Sequence, residues 1–171
     1  MMSTAGPPQG AKAPSGGRTL HAVSGRGGQV SRVLDTNIVL DLWVFDDPAS
    51  GALRISLEDG ATRWLATAAM REELARVLGY PHIARRLDAR GQSAHDVLAQ
   101  FDRHAQLQPD APKAPYSCKD ADDQKFIDLA VQHGAALHSK DAQVLCMKNR
   151  LARCGVALNP VDLSPELETP A

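Results

Sequence analysis

Aromatic side chains are scarce in this 171-residue chain, at 4% of residues, so the stacking platforms that serve sequence-tolerant single-strand binding are poorly provided for. Cysteine is sparse as well. Cys118, Cys146 and Cys154 are odd in number and form no C-x-x-C pair, so neither a disulfide framework nor a thiolate zinc site is expected, and a reducing cytoplasm is the simplest compartment. No stretch approaches the roughly 18 consecutive apolar residues of a membrane span, and the N-terminus lacks the apolar run of a secretory signal, so no membrane attachment is expected. A strong charge of either sign is also missing. The formal net charge is −1, but residues 1–29 hold Lys12, Arg18 and Arg26 and no acid, which leaves 16 bases against 20 acids in the remainder, near −4. Such a body is not a basic nucleic-acid scaffold. A polyanionic substrate would need local Lys and Arg clusters, or divalent cations that reverse the sign of an acidic pocket, and the second route suits the charge better. Finally, no G-x-G-x-x-G follows the first apolar run, which removes a dinucleotide fold.

What is present suffices for one domain, since 43% of residues are apolar. Residues 1–29 carry seven of the 13 glycines and few apolar side chains, too little to offset ordering entropy, and are expected to form a disordered tail. The folded unit is expected over residues 30–160, with a second tail at 161–171. VSRVL reads as the first strand and IVLDLWVF as a helix that buries Trp43 and Phe45. Asp46, Asp47 and Pro48 break the chain and start a helix through about Glu58, ended by Asp59 and Gly60. RWLA reads as a buried strand, and TAAMREELARVLG as a helix closed by Gly79, with Met70, Leu74, Val77 and Leu78 on one face. Helices are expected around 82–89 and 93–105, before a loop with Pro109, Pro112 and Pro115. Then DDQKFIDLAVQHG is helical, AALHS a strand, DAQVLCMKNRLARCG one helix and VALNP a last strand. Short strands alternating with helices imply an α/β fold around a central parallel sheet of four to five short strands. The C-terminal ends of such strands share one edge, where ligands bind.

Four acids are directed to that edge. Asp35 follows VSRVL and Asp141 follows AALHS. With side chains advancing about 100° per residue, Glu73 flanks the apolar stripe of its helix and Glu72 points to solvent. The same spacing sets Asp123 on the face of Phe126 and Ala130, while Asp122 turns away and Asp128 faces water. Four bare carboxylates cannot share a water-poor pocket, because like charges raise one another's pKa and unpaired charge is costly there. Hard oxygen donors without His or Cys suit Mg²⁺ or Mn²⁺, which favour phosphate oxygens as co-ligands. Two such ions about 4 Å apart can clamp a phosphodiester. Taken singly, Asp35, Asp123 and Asp141 read as helix caps before they read as ligands, and Glu73 reads as part of a solvated helix face, so the metal reading rests on all four meeting at one edge.

The order VLDTN, REELARVL, DADDQKFIDLAVQHGA, LHSKD resembles the PIN (PilT N-terminus) domain family of metal-dependent nucleases, over residues 30–160, and within it the branch of toxin components of bacterial toxin–antitoxin pairs. The resemblance implies a three-layer α/β/α fold. It assigns Asp35, Glu73, Asp123 and Asp141 as the catalytic, metal-holding set. Asn37 and Ser139 match polar residues that orient water or ligands, or cap helices, and Asp120 and Asp122 enrich the third motif behind the ligands. It implies hydrolysis of single-stranded RNA to a 5′-phosphate and a 3′-hydroxyl, a homodimer, and a protein antitoxin as partner. Arg71, Arg76, Arg85 and Arg86 are candidate phosphate contacts or, equally, solvated helix faces. LHSKD departs from the pattern with His138 and Ser139 where relatives usually carry Val and then Thr or Ser. That histidine reads as packed or hydrogen-bonded before it reads as a proton carrier. The rival of another class is a non-catalytic RNA- or protein-binding module on the same fold, which an inability to bind Mg²⁺ or Mn²⁺ would favour. A phospho-acceptor receiver domain is set aside, because the third acidic motif here opens a helix.

Overall fold

The computed structural model describes residues 28–161. Both expected tails lie almost wholly outside that range. The elements run β1 (Val30–Leu34), α1 (Thr36–Trp43), a 3₁₀ turn (Pro48–Ser50), α2 (Gly51–Glu58), β2 (Thr62–Ala66), α3 (Ala68–Leu78), α4 (Pro81–Ala89), α5 (Ala94–His104), β3 (Ala105–Leu107), α6 (Gln124–His133), β4 (Ala136–His138), α7 (Ala142–Leu145) and α8 (Lys148–Arg153). The four strands form one parallel sheet in the order β3-β2-β1-β4. Helices flank it, with α6 against β1 and β4 and α2 against β2, as the sequence leads one to expect. Beyond β4 the expected last strand is reduced to one parallel bridge from Leu137 to Leu158. Parallel strands buried on both faces read as continuous apolar runs. Accordingly Val33, Leu34, Trp64, Leu65, Ala66 and Leu137 are all buried.

The few aromatics are concentrated where they pack one another. Trp43 stacks on Trp64 with ring centroids 5.6 Å apart, and Phe101 meets Trp64 edge-on at 4.9 Å, geometries that add to plain area burial. Phe45 departs from expectation. It lies past the end of α1 and is 39% exposed, because the helix that would have carried it inward stops at Trp43.

Three further expectations are corrected. Helix α5 ends at His104, and the next three residues become the edge strand β3, a segment too short to show the alternation that marks a strand. The expected single helix after Asp141 is two helices. Met147 N–H donates to the Val144 carbonyl three residues back, at 2.9 Å, and Met147 (φ −90°, ψ 2°) leaves the helical region. That tightening turns the chain so that Val144, Met147 and Leu151 are all buried. Asp128 does not face water. Its Oδ1 accepts from Ala114 N at 2.8 Å and from Gln124 Nε2 at 2.7 Å, which ties the proline-containing loop down onto α6. Among the described residues no helix is long and apolar enough to cross a membrane.

Candidate active site

The pairing of β1 with β4 continues one step past the strands, where Asp35 N–H donates to the His138 carbonyl at 2.9 Å. This fixes Asp35 beside the turn that carries Ser139 and Asp141. Asp35 is 5% exposed. It caps α1 through its main chain, whose carbonyl accepts from Ile38 N and Val39 N at 3.0 and 3.2 Å, while its side chain makes no cap bond. Capping therefore does not account for the carboxylate. Oδ2 instead accepts from the hydroxyl of fully buried Ser139 at 2.5 Å. Burial holds the Asp35 carboxyl above its ordinary range, Ser139 opposes that rise, and the charges of Glu73 and Asp141 add to it.

Ser139 is itself locked. Its N–H donates to Asn159 Oδ1 at 2.9 Å, and Asn159 Nδ2 donates back to the Ser139 carbonyl at 2.7 Å. Asn159 does this from a left-handed conformation (φ 46°) that Asn tolerates better than most side chains. The Ser139 hydroxyl also accepts from Asp141 N at 3.0 Å. Asp141 Oδ1 caps α7 by accepting from Gln143 N at 2.7 Å, so for this acid the capping role is present alongside its place in the cluster.

Two helices bring the remaining acids. Glu73 projects from α3, where Oε2 accepts from the Thr36 hydroxyl at 2.7 Å and Oε1 faces Lys125 Nζ at 3.3 Å. Asp123 stands at the N-cap of α6 without making a cap bond. It is 8% exposed, and its Oδ2 is buried with no hydrogen-bond partner among the described residues. Burial, followed by the charges of Asp35, Asp141, Asp120 and Glu73, pushes its carboxyl up to about 7. Asp35, Glu73 and Asp141 all lie near enough to Asp123 for their charges to raise it.

The other expected residues divide. Asp120 adds its charge from the surface and accepts from Asp122 N at 2.9 Å, while exposed Asp122 turns its carbonyl, not its carboxylate, to Lys125. Asn37 Oδ1 accepts from Lys140 N at 3.3 Å, tying α1 to the loop after β4. Arg71 is bound by Asp102 on α5, Arg76 reaches Glu73 only at 4.0 Å, and Arg85 and Arg86 stand exposed on α4. His138 proves hydrogen-bonded, accepting at Nε2 from the Arg32 guanidinium at 2.6 Å. Thr36, Lys125 and Asn159 were not legible as site residues. Nor was buried Asp41, which meets Lys140 Nζ at 2.5 Å. Its one signal was a lone acid inside an apolar helical run.

The model of the PIN domain family matches residues 31–137. The chain belongs to the PIN domain family. The match takes in Asp35, Glu73 and Asp123 and stops before Ser139 and Asp141, so the place of these last two rests on the geometry of the β4–α7 turn. No curated protein matches the chain. PIN domains are generally metal-dependent nucleases that use divalent ions such as Mg²⁺, and the donors gathered here suit a hard ion. All are oxygens, and the buried, unpartnered Oδ2 of Asp123 needs a cation or a proton. Among the described residues no three His, Cys, Asp or Glu side chains converge tightly enough to enclose an ion unaided. An ion that keeps several of its waters requires only one or two direct carboxylates.

Proposed function

We propose that this PIN domain is a Mg²⁺- or Mn²⁺-dependent endoribonuclease that hydrolyses phosphodiester bonds in single-stranded RNA. In the same reading it is the toxin of a bacterial toxin–antitoxin pair, acting as a cytoplasmic homodimer until a protein antitoxin blocks it. The observation that carries the nuclease reading is Asp123, whose buried oxygen lacks a partner among the described residues while Asp35, Asp141, Asp120 and Glu73 lie near it. Stability alone gives no reason to assemble such a group. The toxin role and its partners draw support from the order of the sequence motifs.

Asp35, Asp123 and Asp141 would hold the ion, one or two of them directly and the rest through its waters, with Glu73 at its border. A divalent ion bound there supplies positive charge for the phosphate and makes water a stronger nucleophile near neutral pH. The chain's part is to fix the acids beforehand. The Ser139 hydroxyl fixes the Asp35 carboxylate, and the two-way clamp of Asn159 fixes Ser139. With so few aromatics, the substrate is gripped through its phosphates rather than by stacking.

The deciding experiment is cleavage of labelled single-stranded RNAs by the wild type with and without Mn²⁺, set beside calorimetric Mn²⁺ binding. Metal-dependent cutting is expected. A wild type that binds no metal and leaves varied RNAs intact would hand the fold to the non-catalytic binding module.

A further inference from the structure

Lys125 is the second residue of α6, where the positive end of the helix dipole disfavours a cation. It is nevertheless held there. Its Nζ lies 3.3 Å from Glu73 Oε1, donates to the Asp122 carbonyl at 2.5 Å and stands 4.9 Å from the Phe126 ring centroid. The side chain is 26% exposed, so a ligand can reach it. An ammonium has three N–H donors. Asp122 takes one and Glu73 is met as an ion-pair partner, which leaves an N–H for a ligand.

The acids are thereby divided. Both oxygens of Glu73 are engaged, Oε2 by Thr36 and Oε1 by Lys125 with Arg76 more distant at 4.0 Å. Among the described residues no Lys or Arg lies within 4.0 Å of the carboxylates of Asp35, Asp123 or Asp141. One side of the cluster already has its cation and, among the described residues, the other does not. A two-ion clamp needs a cation-free carboxylate on each side of the phosphate, and on the Glu73 side the carboxylate already faces an ammonium.

We propose that the centre works with a single divalent ion on the Asp35–Asp123–Asp141 side, and that Lys125, held in place by the Asp122 carbonyl and the Glu73 charge, supplies the second positive charge by donating an N–H to a non-bridging oxygen of the scissile phosphate. This deepens the nuclease reading and rests on it. Glu73 then acts chiefly as a positioning residue for the ammonium. An arginine at 125 keeps the charge but not the compact geometry.

The test is Mn²⁺ titration by calorimetry on the full chain, for wild type, Lys125→Met and Lys125→Arg, followed by single-stranded RNA cleavage with kcat and KM separated. Thermal melting in chelator checks that each variant is folded. The wild type should bind one Mn²⁺ per chain, and Lys125→Met should bind it at least as tightly, since a competing positive charge is gone. Its kcat should fall by about tenfold or more, as expected for one lost charge-assisted hydrogen bond, with partial recovery in Lys125→Arg. Two Mn²⁺ per wild-type chain, or cleavage by Lys125→Met within about threefold of wild type, overturns the proposal and leaves the nuclease standing. So does a Lys125→Met chain that melts normally yet no longer binds Mn²⁺, since the lysine would then serve the ion and not the phosphate. A wild type that binds no Mn²⁺ or cuts no RNA overturns the nuclease reading itself and this proposal with it.

Discussion

Across α3 and α5, Arg71 grips Asp102 with two N–H donors at 2.7 and 2.8 Å, whereas at the sheet edge Asp123 buries a carboxylate oxygen with no hydrogen-bond partner among the described residues. The two regions handle charge in opposite ways. On α5 each acid is met by donors: the Arg71 side chain holds Asp102 below its ordinary range, and the Ser93 backbone and hydroxyl do the same for Asp96. At the edge, burial and neighbouring acids drive Asp35 and Asp123 the other way. On α5 a guanidinium meets Asp102, whereas among the described residues no Lys or Arg meets Asp35 or Asp123 at the strand ends. That contrast supports the proposal that the edge receives a cation.

The contrast would break most visibly in cleavage assays. Asp123→Asn and Asp35→Asn should each lower metal-dependent RNA cutting by more than about 100-fold, since even residues standing behind metal ligands cost 10- to 100-fold when removed. Neither substitution should lower the melting temperature in chelator, because each removes a repelled charge. Cleavage unchanged in both variants would return Asp35 and Asp123 to the role of helix termini. Ser139→Ala should cost about 10- to 100-fold in the same assay by freeing the Asp35 carboxylate, and a loss of Mn²⁺ affinity in parallel would separate positioning from direct catalysis.

A smaller effect should appear in the pH dependence of the metal-free protein. Asp123 has a folded value of about 7 against an ordinary 3.8, so between those values the folded chain binds a proton that the unfolded chain has lost. Its contribution to stability is therefore fully present below the ordinary value and disappears as pH rises through about 7. Denaturant titrations in chelator should show wild type losing ground to Asp123→Asn between acid and neutral pH, and added Mn²⁺ should restore it. A wild type and variant that track each other across that window would deny the clustering of charge.

The elements that position this edge were largely readable, because they are local. A strand ending in Asp35, a helix face carrying Glu73 and a helix start at Asp123 follow from periodicity over a few residues. What escaped depends on partners far apart in the chain. Thr36 finds Glu73 across 37 positions and Ser139 finds Asp35 across 104, and no helical pattern encodes either meeting. Lys125 was hidden for the same reason, since beside a run of acids it reads as an ordinary surface charge. Asp128 misled in the opposite direction: its helix position was read correctly as outward, but the loop around Ala114 lies over that side. Strand β3 is three residues at an edge and carries no pattern of its own, taking its conformation from the neighbouring strand.

On the matched side of the comparison the effects should be smaller and opposite in their response to acid. Ser93 accepts from Asp96 N at 3.1 Å while Asp96 reaches back to Ser93 N at 2.8 Å, and Ser93→Ala should cost about 1 kcal/mol, the usual value of a helix N-cap. Because the folded values of Asp96 and Asp102 are lowered, their help is present above the ordinary carboxylate range and fades as pH falls through it, the reverse of Asp123. Arg71→Ala should have the least effect, below about 1 kcal/mol, since both partners are solvated and salt screens them. Urea titrations of wild type and Arg71→Ala in low and high salt would show it: the gap should narrow with salt. A gap that persisted would mean that the Arg71 stem packs between α3 and α5, and that this region is held by burial rather than by charge.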